Sequence, residues 1–289
     1  FVLPEFQNTY GTGSSSNATD LSWGNKLLTD NNYNFKPHKD FFKTGVVTSE
    51  SLAFSTGTEK NQTYVSAGAV NSVGLIPNND YDRYNFTFRN TTSALEDKLH
   101  LDLGGSYIKQ QDMNMVNQGV YGNPLITSYL FPRGADWNDI KMYERYDPSR
   151  KIYTQYWPDY TSEFTGQNPY WIAHRNLREN KKDRYMLNAG LSYDILDWLN
   201  VSGRVRIDNS VNDFTEKYYA TTNLTLAEGS SNGLYGITTT KQKQTYADFL
   251  VNINKTFDNL FSVHANLGTS YSDKRESFIQ NRGPIREDG

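Results

Sequence analysis

Residues 184–208 read Arg184-Tyr185-Met186-Leu187-Asn188-Ala189-Gly190-Leu191-Ser192-Tyr193-Asp194-Ile195-Leu196-Asp197-Trp198-Leu199-Asn200-Val201-Ser202-Gly203-Arg204-Val205-Arg206-Ile207-Asp208. In an extended chain Tyr185, Leu187, Ala189, Leu191 and Tyr193 share one face, while Met186, Asn188, Gly190, Ser192 and Asp194 share the other. After the turn at Leu196-Asp197-Trp198 the alternation resumes. Leu199, Val201, Gly203, Val205 and Ile207 now oppose Asn200, Ser202, Arg204, Arg206 and Asp208. A strict period of two with one apolar and one wet face is the signature of a strand. Two such runs across a short turn predict an antiparallel hairpin.

The same layout recurs on both sides. Tyr84, Phe86 and Phe88 alternate with Asn85, Thr87 and Arg89, and Leu99, Leu101 and Leu103 alternate with His100, Asp102 and Gly104. Ala247, Phe249, Val251 and Ile253 are continued by Phe261, Val263, Ala265, Leu267 and Thr269. The pattern predicts strands near 45–56, 62–72, 84–94, 98–109, 184–195, 199–211, 245–256 and 260–271. Each is roughly ten residues or more, the length of a tilted membrane-crossing strand; strands of soluble sheets usually run about five or six. Turns within hairpins are short. Links between them are long: 73–83, 112–183 and 212–243. Short turns at one rim and long loops at the other fit an all-β fold, a transmembrane antiparallel β-barrel segment with long extracellular loops. Residues 1–41 are expected to be an extracellular loop segment leading into the barrel, and 42–289 the barrel segment itself.

Composition agrees. Of 289 residues only 36% are hydrophobic, yet 14% are aromatic, with 21 Tyr, 15 Phe and 5 Trp, and mean hydropathy is -0.73. Disordered chains are poor in aromatics, which argues against disorder. No apolar run approaches the ~18 residues a membrane helix needs. With 29 basic and 32 acidic residues the net charge is -3, so no basic excess exists to hold a phosphate backbone and nucleic acid is not an expected partner. Cysteine is absent, which excludes disulfide frameworks and thiolate metal sites.

Several segments in order resemble the SusC/RagA-like TonB-dependent transporters of Bacteroidetes. They are Asp40-Phe41-Phe42-Lys43-Thr44-Gly45, the stretch 64–90 with its Gly74-Leu75-Ile76-Pro77-Asn78 loop and Arg83-Tyr84-Asn85 strand, Asn168-Pro169-Tyr170-Trp171 and Asp197-Trp198-Leu199-Asn200-Val201. Gln7-Asn8-Thr9-Tyr10-Gly11 and Ser22-Trp23-Gly24 resemble the preceding loop. The resemblance implies about eight strands of a larger barrel of about 22, together with a plug domain and a TonB box that are not recognisable in this segment. It also implies import of glycans or oligopeptides under a SusD-like surface lipoprotein, with energy relayed from TonB-ExbB-ExbD through that plug and TonB box. Outer-membrane lipid would surround the strands.

No catalytic constellation is evident. His38, His100, His174 and His264 lack metal-ligand spacing, and neither a catalytic residue, a metal nor a cofactor is expected. The candidate contacts for substrate or lipoprotein are the loop aromatics Trp137, Tyr153, Tyr156, Trp157, Tyr160, Tyr170 and Trp171; aromatics are enriched at interfaces. The alternative is that they pack the loop's own small core or form an interfacial aromatic girdle. Arg89, His100, Asp102, Arg204, Arg206 and Asp208 are expected to face the barrel lumen, and Trp198 to sit in an interfacial girdle. Two other readings use the same alternation: a soluble secreted β-rich glycan-binding module or glycosidase domain, and a siderophore- or cobalamin-type TonB-dependent receptor.

Overall fold

The computed structural model describes residues 10–12, 23–26, 37–131, 137–157, 166–257 and 260–286. The chain opens with two short paired strands, β1 (Tyr10–Thr12) and β2 (Trp23–Lys26), and one helical turn, α1 (Pro37–Asp40). Hairpin β3 (Val46–Gly57)–β4 (Asn61–Val73) follows, then hairpin β5 (Asp80–Ala94)–β6 (Leu99–Met113). A long excursion carries α2 (Pro124–Leu130), α3 (Trp137–Lys141), the small hairpin β7 (Glu144–Asp147)–β8 (Ile152–Gln155) and α4 (Pro169–Arg175). Hairpins β9 (Asn176–Leu196)–β10 (Leu199–Tyr218) and β11 (Leu234–Phe257)–β12 (Phe261–Pro284) complete it.

The eight long strands form one open antiparallel sheet in the order β12-β11-β10-β9-β6-β5-β4-β3. The turns of the four long hairpins β3–β4, β5–β6, β9–β10 and β11–β12 lie at one end. The longer connections, and everything they fold into, gather at the other end as a cap.

Register decides what each face carries, because directly paired residues point the same way. Tyr107, Tyr185 and Phe86 align, as do Leu103, Ala189 and Val205, and then Ala247 and Tyr271. This face holds an apolar band over 99–107, 185–193 and 263–271. The band is about nine residues long, ~30 Å along a strand and roughly 23 Å tall at a tilt of ~40°. Its side chains are bare: Leu187 is 50% exposed, Leu191 48%, Phe249 49% and Leu267 75%. On its loop side the band stops at Tyr84, Tyr107, Tyr185 and Tyr271. The next residues on that face are Asp82, Lys109, Asp183 and Asp273. The opposite face carries Arg89, Asp102, Arg204, Arg206 and Asp208.

The sheet has no core of its own. Buried apolar side chains such as Phe41, Ile76, Trp137, Ile140 and Trp171 all belong to the cap, and Tyr218, Ala227 and Leu234 form a small cluster at the root of the β10–β11 loop. The chain exposes 18397 Å², whereas a folded monomer of this mass exposes about 12,600 Å². The sheet, bare on both faces, contributes to that excess.

Strands β9 to β12 run well past the bounds read from alternation. β9 begins at Asn176 and not near 184, β10 continues to Tyr218, β11 begins at Leu234 and β12 continues to Pro284. The cause is visible in the side chains. Beyond the band the outer face carries Asp183, Lys181, Glu179, Lys243 and Lys241, so both faces are wet and hydrophobic periodicity disappears while the backbone ladder continues. The connections are shorter to match, at 114–175 and 219–233.

Candidate functional site

The cap is assembled from the segments that stood out in the sequence. Phe41 of α1's exit, Ile76 of the β4–β5 turn and Tyr170 of α4 pack with Trp137, Phe131 and Ile140. The rings meet edge-on: Phe41 to Tyr170 at 5.4 Å and Phe131 to Trp137 at 4.9 Å between centroids, the arrangement aromatic quadrupoles favour. Trp137 Nε1 donates to the Tyr170 hydroxyl at 3.2 Å, and that hydroxyl donates to the Asp40 carbonyl at 3.3 Å.

Buried amides stitch this core to the loops. Asn168 caps α4, its Oδ1 accepting from Tyr170 N at 2.9 Å, with Pro169 in the first turn; Asn123 and Pro124 start α2 in the same way, the expected chemistry of a helix entry. Asn168 Nδ2 also donates to the carbonyls of Ile140 and Tyr156, at 2.7 and 2.9 Å. Gln167 Nε2 donates to the Tyr121 carbonyl and its Oε1 accepts from Asn223 N. Trp171 Nε1 donates to Thr222 Oγ1, which donates in turn to Asn176 Oδ1 at 2.7 Å. Asn114 exchanges two hydrogen bonds with the Arg178 backbone, and its Nδ2 donates to the carbonyls of Asn78 and Ala173. Neither Asn114, Gln167 nor Thr222 was marked by the sequence reading. The Asn-Pro pairs were the available signal, since each announces a helix start.

The loop aromatics separate into distinct environments. Trp137 and Trp171 are 4% and 0% exposed, which corrects the expectation that they touch substrate or partner: indoles this deep hold the cap together. Trp157 and Tyr170 pack half-buried against the same cluster. Tyr156 donates to Asp139 Oδ2 at 2.6 Å under the Arg145 guanidinium, 3.4 Å from its ring. Tyr153 is 58% exposed and sits edge-on to Tyr146 at 5.4 Å on the small β7–β8 hairpin. Of the expected contacts Tyr153 alone presents an open ring among the described residues, and its neighbour Tyr146, 53% exposed, lies outside that expectation. Tyr160 lies outside those residues.

Several charged residues of the polar face pair across neighbouring strands. Arg89 meets Asp102 at 2.9 Å, Arg204 meets Asp248 at 2.9 Å, and Arg184 meets Asp208. His100 lies 3.6 Å from Asp194. Higher up, Glu216 receives Arg282 at 2.7 Å, with Arg178 at 3.7 Å. Arg282 reaches Glu216 by crossing β11 above Gly236, where a Cβ would come within 2.8 Å of the Arg282 Cγ. These pairs satisfy one another and form no nucleophile, base or metal-ligand grouping. No cluster of three or more metal-ligating side chains occurs among the described residues.

Within the cap, hydrogen bonding to Asp139 raises the ionisation of Tyr156 above its ordinary value, and burial does the same for Tyr170. His174 moves the other way. Burial first, then the neighbouring Arg175 and Lys43, disfavour its protonated form, with Glu144 opposing them. Its ring stacks on Tyr143 at 5.3 Å. Below the ordinary value of 6.5 the unfolded chain therefore binds more protons at this site than the folded cap. The stability contribution is complete above that pH and declines as pH falls. Protection factors across α4, taken relative to the intrinsic exchange rate at each pH, are expected to fall between about pH 7.5 and 5.5, with His174→Phe flattening that dependence; an unchanged pH dependence in the variant would assign the effect elsewhere.

No family model matches the chain, and no curated protein sequence matches it. Among solved structures the chain is similar to the RagAB peptide importer in its 'closed-closed' state, with a TM-score of 0.59 and 14% identity over 89% of this chain and 28% of that one. It is similar to a second structure, of the RagAB peptide transporter, with a TM-score of 0.61 and 13% identity over 87% and 27%. The chain thus spans little more than a quarter of the length of these neighbours, and the shared property is the fold: all-β, an antiparallel sheet that matches part of a β-barrel transporter.

Proposed function

We propose that this chain is part of a TonB-dependent outer-membrane importer that takes up oligopeptides or glycans together with a SusD-like surface lipoprotein. The observation that carries the reading is the bare apolar band, about nine residues tall and bounded by tyrosines, set against an ion-paired opposite face. In hydrocarbon every backbone polar group must pair internally, so a sheet with one lipid face must close into a barrel. Edge strands β3 and β12 are the places where further strands would join. The likeness to peptide-importer chains supports a transport reading, and oligopeptide is the cargo class we propose to test first.

In this reading the hairpin turns lie at the periplasmic rim and the cap at the cell surface. Tyr146 and Tyr153 then offer rings to cargo or lipoprotein, and energy arrives from TonB-ExbB-ExbD through a plug and TonB box elsewhere in the gene product. Covalent chemistry is not part of the mechanism. A soluble glycan-binding or glycosidase module would need a second sheet to cover the apolar face.

The test is fractionation of cells making the complete gene product, followed by affinity capture and uptake of labelled oligopeptide with and without functional TonB. Outer-membrane residence, capture of a SusD-like lipoprotein and TonB-dependent uptake are expected. Recovery as a monodisperse soluble protein would instead favour the binding module. Membrane residence without the lipoprotein would favour a siderophore- or cobalamin-type receptor.

A further inference from the structure

Above the apolar band most outward charges neutralise one another. Lys109 stands directly opposite Asp183, and Lys181 meets Glu179 at 2.9 Å. Strands β11 and β12 depart from that pattern. Lys243 lies directly opposite Arg275 on one side and Asn209 on the other, and Lys241 lies two residues further along the same face. Directly opposed side chains sit about 5 Å apart at Cβ, and like charges so placed repel.

The surrounding groups compensate one of the three cations and leave the two lysines without a carboxylate. Asn209 donates to the Tyr185 hydroxyl, and Asp213 accepts from Thr239 Oγ1 at 2.6 Å. Asp273 is engaged by Arg275 at 2.8 Å. Val211, Thr245, Ser277 and Ile279 carry no charge. Neither Lys241 nor Lys243 has a carboxylate within 4.0 Å among the described residues. Both lysines are exposed, and the Arg275 side chain is 76% exposed.

Height gives the patch its meaning. Arg275 lies four residues beyond Tyr271, the last band residue of β12, about 10 Å above the band edge for a tilted strand. Long basic side chains can reach back toward an interface from there. We infer that Lys241, Lys243 and Arg275 form an outward-facing site for the phosphate of a lipid head group in the leaflet on the cap side, an inference that rests on the membrane reading above. Two lysines and a guanidinium supply the charge and donors that phosphate oxygens accept, and the anion relieves the repulsion between Lys243 and Arg275.

The complete gene product, extracted in mild detergent, would be titrated with lipid A and with dephosphorylated lipid A, counting bound lipid by native mass spectrometry. The native protein should retain lipid A, and K241Q/K243Q/R275Q should lose roughly tenfold or more in apparent affinity, from about fivefold per basic side chain before screening. Dephosphorylated lipid A should bind both proteins as weakly as lipid A binds the triple variant. K109Q/K181Q, whose lysines already face carboxylates, should behave as native. D273N, which releases Arg275, should hold lipid A more tightly. Undiminished lipid A binding by the triple variant, or equal binding of the dephosphorylated lipid by the native protein, would overturn the site. Membrane residence is read separately, by fractionation of the same cells. A soluble product overturns the membrane reading and the site together, whereas a membrane-resident protein with unaltered lipid A binding overturns the site alone.

Discussion

Leu187→Arg is expected to cost the complete protein roughly 1–3 kcal/mol of folding stability in a bilayer, between the penalty for a guanidinium at the midplane of a barrel's lipid face and the near-zero penalty at its interface. Leu187 is 50% exposed and lies between Tyr185 and Ala189 in the apolar band. In a water-soluble protein an exposed leucine tolerates such a change within about 0.5 kcal/mol. The neighbour Met186 points to the other face, beside Asp208, so Met186→Arg is the matched control and should be nearly neutral. Denaturant titration of both variants in phospholipid vesicles measures the difference. Equal stability of the two would remove lipid as the partner of this face.

The second large effect is expected at Asn168. Asn168→Leu leaves the carbonyls of Ile140 and Tyr156 without their donor and Tyr170 N without its acceptor. Each buried polar group left unpaired costs about 1–3 kcal/mol, so the cap should lose roughly 3–9 kcal/mol while the sheet, held by its own ladder, does not. Hydrogen exchange resolves the two regions. Faster exchange at 137–157 and 166–175 with unchanged protection in β9 and β10 is the expected pattern. Uniform loss of protection would mean that cap and sheet unfold as one unit, and no loss would mean that water replaces the amide.

Those regions also differ in how far the sequence exposes them. The sheet is legible where its two faces meet different surroundings: Leu187 and Asn188, or Val205 and Arg206, cannot be exchanged without moving apolar groups into the polar face. Past Asp183 and Lys243 the surroundings are alike on both sides, so the strands continue without a hydrophobic signal. The cap is less legible still. Trp137 and Trp171 occur among polar residues, and one-dimensional context makes them look like surface aromatics. Their burial depends on Phe41, Ile76 and Thr222, brought in from distant stretches of chain. The tyrosine pair Tyr146–Tyr153 was visible as composition, and its exposure only as structure. The apposed cations of β11 and β12 were invisible, because their proximity comes from register and not from spacing along the chain.

Register is also where the asparagine lock at the loop end has its largest consequence. Strands β6 and β9 are neighbours, yet the chain between them runs from 114 to 175, so no tight turn fixes how they align. Their upper halves are wet on both faces, the situation in which a ladder slides most readily by a residue or two. Asn114 holds both the backbone N–H and the carbonyl of Arg178 in place, and Asn79 holds the carbonyls of Met113 and Asn114. A slip of one residue would break both bonds to Arg178 and pull the Ala173 carbonyl away from the Asn114 and Asn78 side chains. The asparagines thus proofread the alignment of the two halves of the sheet: a mis-slid sheet cannot close its cap, and only the correctly aligned one is locked.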